Sequence, residues 1–388
     1  MKKVLILSHE ATLTGAPIFL LRLIKFLTSS KDYKFMVLFK NSGLLLKDFE
    51  KYCKTMDLSN LNSQRNQFIK IIIRLLPLHR IRNILFSLKI NFFRPDIIIS
   101  NTIINSDLLT FIKNKHNTKV ITIVHEMKSW LRQGHKLNFF DLNKSISEST
   151  HFIAVSSTVK NNLINEFKIN SEKISLIYNN NKDFEPRKIS EKEMLKWKKE
   201  NNVPENSFIV GSCGNLIWRK GPDIFISILK IFKKKFPKQK IFFIWQGGNK
   251  QSSFFIDIEN EINQLSLSND ISLIPFNKNT HFFYNAIDLY ISTAREEPFG
   301  LTLLEAGSYK KPCIAFEKSG GPEEILENNR GKLIPYGDID NAVEAIFELI
   351  SNNNSYMKFS LALSKFVSEN NSKNTFLRYK EIIDSFII

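Results

Sequence analysis

At 388 residues and 43% hydrophobic content, the chain is too long for one ordinary core and too apolar to be disordered, so two domains of about 180 to 200 residues each are expected. Cys53, Cys213 and Cys313 are odd in number and include no CxxC pair, which argues against a disulfide framework or a zinc site and for a reducing, cytoplasmic compartment. The net charge of +17 is uneven: residues 1–150 hold 24 Lys and Arg against 10 Asp and Glu, and residues 251–388 hold 12 against 19, a field that attracts nucleic acid, anionic lipid or phosphorylated substrate alike.

The opening Met1-Lys2-Lys3 precedes an apolar core, Val4 to Leu7, that is too short for a signal peptide and reads as a first strand. A loop containing Gly15 follows, then an apolar helical segment from Ile18 to Leu27, with Pro17 expected at the first helical position, where a missing amide costs nothing. Phe35 to Phe39, Asp96 to Ser100 and Val120 to Val124 read as buried parallel strands separated by helical segments, the alternation of a doubly wound sheet. Between Asp57 and Asp96 no acid occurs, while Arg65, Lys70, Arg74, Arg80, Arg82, Lys89 and Arg94 interleave with Ile, Leu and Phe. Residues 65–94 are therefore an expected contact for an anionic membrane surface at the inner face of the cell membrane, against the plainer reading of core plus solvated face. No run of about eighteen apolar residues exists to span a bilayer.

Strand Val120 to Val124 ends at His125-Glu126, which places a histidine at the carboxyl edge of the sheet, where ligands of open α/β folds bind. His151 to Ser156 reads as a strand leading into a helix capped at Ser156, and Ile174 to Tyr178 as another. The charged stretch Lys182 to Glu205 reads as a linker, which sets the domains at 1–185 and 186–370, with 371–388 a terminal helix crossing back to the first domain. Phe208 to Ser212 opens the second domain. The loop after it carries Gly214, Arg219, Lys220 and Gly221, a cationic clamp suited to two phosphates. Ile241 to Trp245 and Ile271 to Phe276 continue the strands.

The stretch Thr293 to Ala315 reads as loop, helix, strand after an apolar run ending at Ser292. Pro298 disfavours helix before it and Gly300 permits close backbone approach, so the amides of Phe299, Gly300, Leu301 and Thr302 are expected to face an anion at a helix start. Glu297 sits at its lip and Glu305 about one turn inside. Two carboxylates beside a phosphate-ready helix end suit a substrate with both phosphate and hydroxyls, such as a nucleotide-sugar.

The string Glu-Pro-Phe-Gly-Leu-x-x-x-Glu-Ala at 297–306 closely resembles the signature of the retaining GT-B glycosyltransferases of family 4 (glycosyl transferases group 1). The resemblance extends over essentially the whole chain and implies an α/β fold of two Rossmann-like doubly wound domains facing a central cleft. It also implies a metal-independent transfer, with retention, of a hexose or related sugar from a nucleoside-diphosphate-sugar to a hydroxyl of a glycan or lipid-linked acceptor, in bacterial surface polysaccharide synthesis. By the same resemblance Glu297, His125, Arg219 and Lys220 are the catalytic residues. Glu305 accepts from the ribose hydroxyls, Gly15 approaches the donor phosphates in place of the usual Gly-Gly pair, and Pro275 and Phe276 hold the base through main-chain groups. No cofactor is implied. The rival readings are a nucleic-acid-binding protein, which lacks any known binding motif and is not expected, and a nucleotide-sugar epimerase on similar sheets.

Overall fold

The computed structural model describes residues 1–59, 88–113, 117–138, 140–180, 184–277, 279–370 and 374–387. The chain divides into two compact units: residues 1–179 together with 373–388, and residues 180–372. The division thus lies between Asn179 and Asn180, where residue 185 was expected.

The first unit is built on a parallel sheet of β1 (Lys2–Glu10), β2 (Tyr33–Asn41), β3 (Lys54–Asp57), β4 (Ile97–Ser100), β5 (Val120–Val124), β6 (His151–Ala154) and β7 (Ile174–Leu176), in the order β3-β2-β1-β4-β5-β6-β7. The centre of β1 and all of β4 and β5 are buried on both faces, as continuous apolar runs in a parallel sheet require. Their registers pair Leu5 with Met36 and Ile98, and Ile98 with Val120. The edge strand β3 went unread in the sequence because it is short and buries just Met56. The helix after β1 runs Gly15–Thr28, preceded by Thr14, whose side chain makes no capping hydrogen bond, so Pro17 is its third residue and not its first. Its missing amide still falls among the first-turn donors that have no helical partner.

The second unit repeats the plan with β8 (Phe208–Cys213), β9 (Ile241–Gln246), β10 (Ile271–Ile274), β11 (Leu289–Ser292), β12 (Cys313–Phe316) and β13 (Lys332–Ile334), all parallel, in the order β10-β9-β8-β11-β12-β13. In both sheets the chain starts in the middle, winds outward to one side, then returns and winds to the other. Each therefore has a point where neighbouring strands lead their loops in opposite directions: between β1 and β4, and between β8 and β11. The helix Pro222–Lys235 shows why these segments hold their places. Pro222 opens it, Asp223 lies in its first turn, Lys233, Lys234 and Lys235 lie in its last, and Phe225, Ile228, Leu229 and Phe232 are buried against the sheet.

The helix Asn353–Asn370 stays with the second unit, where Tyr356 donates to the Asp288 carbonyl at 2.8 Å and Ser360 to the Lys310 carbonyl at 2.6 Å. The last helix, Asn374–Phe386, lies on the first unit. Phe376 packs between Phe19 and Phe26, Tyr379 packs on Phe19, and Asp384 accepts from Lys2 and Lys380 at 2.6 and 2.7 Å. Asp384 is thereby held well below the ordinary carboxylate range, at about 2; burial opposes this, but the hydrogen bonds from Lys2, Lys380 and Tyr33 outweigh it. Phe376→Ala should destabilise the first unit by about 3 to 5 kcal/mol, the usual cost of emptying an aromatic site, read as a lowered midpoint in urea.

Candidate functional site

In the second unit the switch between β8 and β11 gathers the predicted cations and acid. The loop after β8 makes a short 3-10 turn, Trp218–Lys220, and reverses at Gly221. Gly221 has φ 68°, and a Cβ there would lie 2.1 Å from the Thr293 carbonyl oxygen, so glycine is required both by conformation and by space. That contact seats the β8 loop directly on the loop after β11, and Thr293 Oγ1 completes it by donating to the Gly221 carbonyl at 2.9 Å.

Lys220 Nζ donates to Glu297 Oε2, and Arg219 Nη1 lies 3.8 Å from the same oxygen. Arg219 also donates to the Glu296 carbonyl at 2.5 Å, while its own carbonyl accepts from Arg295 N at 2.8 Å. The Glu297 backbone is clamped from its other side: its N–H donates to the Ser319 carbonyl at 2.8 Å and its carbonyl accepts from Gly321 N at 2.9 Å. A Cβ at Gly321 would sit 2.3 Å from Phe299 Cα, so the loop after β12 can lie this close only as glycine. Burial pushes the Glu297 carboxyl up, but the charges of Lys220 and Arg219 and the hydrogen bonds from Lys220 and the Phe299 N–H outweigh it. The carboxyl ends below its ordinary value, ionised at neutral pH.

The helix Leu301–Ser308 begins after Gly300. Of the four amides expected to face an anion, that of Phe299 donates to the Glu297 carboxylate. Glu305, in the middle of this helix, is half-buried, and its Oε2 accepts from Tyr284 at 2.7 Å. Thr302 accepts at Oγ1 from Tyr290, also at 2.7 Å. Both phenols are wholly buried, which holds them protonated and available as donors. Pro275 and Phe276 follow β10; Phe276 N donates to the Gly248 carbonyl at 3.1 Å, and its ring is exposed. Their loop thus lies beside the glycine turn after β9, and Gly247 in turn packs on Gly214.

Arg295 and Asp223 were not foreseen. Arg295 forms a two-point pair with Asp223 at 2.9 and 2.6 Å, donates to the Trp218 carbonyl at 2.7 Å, and lies 4.7 Å from the Trp218 ring centre. It braces the turn that carries Arg219 and Lys220. The sequence signal was weak: an arginine two residues before Glu297 and an acid just after Gly221 become partners only when β8 and β11 adjoin.

In the first unit the switch between β1 and β4 is equally furnished. His125, at the end of β5, is half-buried, with Nε2 3.3 Å from Asn101 Oδ1 and its ring 5.6 Å from that of Phe19. Glu126 is buried, accepts from Thr102 Oγ1 and receives the His125 N–H at 3.0 Å. Burial raises its carboxyl to about 7, against the opposing charge of His9 and main-chain donors. Glu10 binds His9 at 3.2 Å and Thr14 at 2.9 Å, and those contacts overcome burial to bring it down to about 2. Gly15 is exposed at the first position of its helix. Asn101 and Thr102 were also unforeseen, since neither residue type carries a motif.

Among the described residues, no group of three or more His, Cys, Asp or Glu is placed to hold a metal ion, and no helix is long and apolar enough to cross a membrane. Of the basic stretch 65–94, Arg65, Lys70, Arg74, Arg80 and Arg82 lie outside the described residues, while Lys89 and Arg94 are exposed.

Residues 15–179 match the family described as Glycosyltransferase Family 4, and residues 193–365 match Glycosyl transferases group 1. The chain therefore carries the tandem domains of a GT-B glycosyltransferase, and its two sheets are the two Rossmann-like domains of that fold. It is similar to an uncharacterized glycosyltransferase of Haemophilus influenzae, 25% identical over 40% of this chain and 43% of the relative. It is also similar to the O-antigen biosynthesis glycosyltransferase WclY of Escherichia coli, 28% identical over 37% of each chain. The matches thus span less than half the length of these curated relatives. Among solved structures, HepE of Anabaena in complex with UDP and glucose superposes with a TM-score of 0.79 at 19% identity, over 99% of this chain and 100% of that one.

Lys220→Met would leave Glu297 buried beside Arg219 alone, so its carboxyl should titrate at higher pH than in the parent, measured by carbon NMR of labelled glutamate. In the parent the depressed value favours the fold above the unfolded carboxyl value and loses that contribution as pH falls through the folded one. The stability difference between parent and variant should accordingly shrink as the pH is lowered.

Proposed function

We propose that this protein is a retaining glycosyltransferase that moves a hexose or related sugar from a nucleoside-diphosphate-sugar to a hydroxyl of a glycan or lipid-linked acceptor, in bacterial surface polysaccharide synthesis. The observation that carries the reading is the convergence of Lys220 and Arg219 on Glu297 at the β8/β11 switch of the group 1 domain. The UDP and glucose bound to HepE and the O-antigen role of WclY support a nucleotide-sugar donor and a surface-glycan product.

Breaking the anomeric bond builds negative charge on the leaving diphosphate and positive charge on the sugar, so such a site needs stabilisation of both signs. Lys220, Arg219 and the amides of Gly300, Leu301 and Thr302 serve the diphosphate. Donor binding draws the two cations towards the phosphates while they still flank Glu297, and the carboxylate they keep ionised faces the sugar. Glu305, held by Tyr284, takes the ribose hydroxyls, and Pro275 and Phe276 present main-chain groups to the base. His125 contacts the sugar, Gly15 lies by the phosphates, and the transfer uses no metal or other cofactor. The basic stretch 65–94 brings the enzyme to an anionic membrane surface.

Glu297→Ala and Lys220→Ala should each lower turnover at least about tenfold, on the scale for losing one transition-state group. Near-parental rates in both would remove the assignment. A thermal-shift panel of UDP-, GDP- and ADP-sugars should identify the donor as the compound that raises the melting temperature most, and no shift with any of them would count against a nucleotide-sugar site.

A further inference from the structure

Asn101 lies in the first unit just beyond β4, fully buried, with its N–H donating to the Leu7 carbonyl at 2.9 Å. Its Nδ2 donates to the Ala16 carbonyl at 3.0 Å. A peptide carbonyl can only accept, so the amide of Asn101 has one permitted orientation, with Nδ2 towards Ala16 and Oδ1 towards His125. Oδ1 can likewise only accept, so the His125 nitrogen 3.3 Å away must carry the proton. We propose that Asn101 is a positioning residue that holds the His125 ring in the tautomer protonated on Nε2, leaving Nδ1 as a bare acceptor for a hydroxyl of the sugar substrate.

The second half rests on the reading of His125 as the sugar-facing group; the first half stands on hydrogen-bond geometry alone. The surroundings agree with both. Phe19 covers the ring from the helix after β1, and His9 of β1, paired with Glu10, is near enough for its charge to act on it. Glu126 engages the His125 main-chain N–H and not the ring. Burial, assisted by the charge of His9, brings the imidazole down to about 3, so it is uncharged through the physiological range. A histidine in that state accepts a hydrogen bond at Nδ1 but has no proton there to give. It therefore orients a hydroxyl; it does not act as a general acid through that nitrogen.

Ring-nitrogen NMR of the intact protein labelled with nitrogen-15 histidine, with the His125 signals assigned by their loss in His125→Gln, tests the tautomer without perturbing Asn101. Between pH 5 and 8 the expected pattern is a protonated Nε2 and a bare Nδ1; a protonated Nδ1, or an imidazolium, in that window overturns the proposal. Asn101→Leu supplies a second test. With the acceptor removed and no charge added, the Nε2 proton loses its partner, so the tautomer protonated on Nδ1 should gain population in the same spectra and kcat/KM for the donor identified by thermal shift should fall. A folded Asn101→Leu enzyme whose His125 keeps the parental tautomer overturns it. Full turnover in His125→Gln would instead overturn the sugar-facing reading on which the acceptor role depends.

Discussion

A lysine and an acid 77 residues apart, Lys220 and Glu297, meet at the one place in the second sheet where neighbouring strands send their loops apart. Much of the local structure serves that contact. Gly221 lets the β8 loop lie against Thr293, Arg295 and Asp223 fasten the turn bearing both cations, and Ser319 and Gly321 grip the Glu297 backbone from the far side. A carboxylate this sheltered is costly unless neutralised. Lys220 and Arg219 supply that neutralisation and keep Glu297 ionised.

The first unit solves a different problem on the same sheet plan. Its switch region holds an uncharged imidazole, a carboxyl poised near 7 and a strongly ionised Glu10, all within the reach of loops after β1, β4 and β5. Consecutive residues after β4, Asn101 and Thr102, engage consecutive residues after β5, His125 and Glu126. The parallel pairing of Ser100 with Thr122 places these two pairs alongside one another. The polar groups are thus oriented by strand register, which is stiffer than loop conformation.

Most strands were legible because parallel strands buried on both faces are continuous apolar runs; Val120–Val124 has the same limits in sequence and structure. The edge strand Lys54–Asp57 was not, since an edge position asks little apolar character of its residues. Local chemistry likewise marked Arg219, Lys220, Glu297, Glu305 and His125 as residues of interest, through glycine turns and strand ends.

By itself, then, the sequence determined the alternation of elements, the two-domain scale and the candidate charged groups, all of which depend on neighbours within a few positions. Tertiary structure decided which of those groups touch: that Phe299 turns its amide to Glu297, that Arg295 answers Asp223, that Tyr284 holds Glu305, and that Asn101 sets the His125 ring. Such pairings arise when strands distant along the chain become adjacent in a sheet, and no local period or propensity encodes that adjacency.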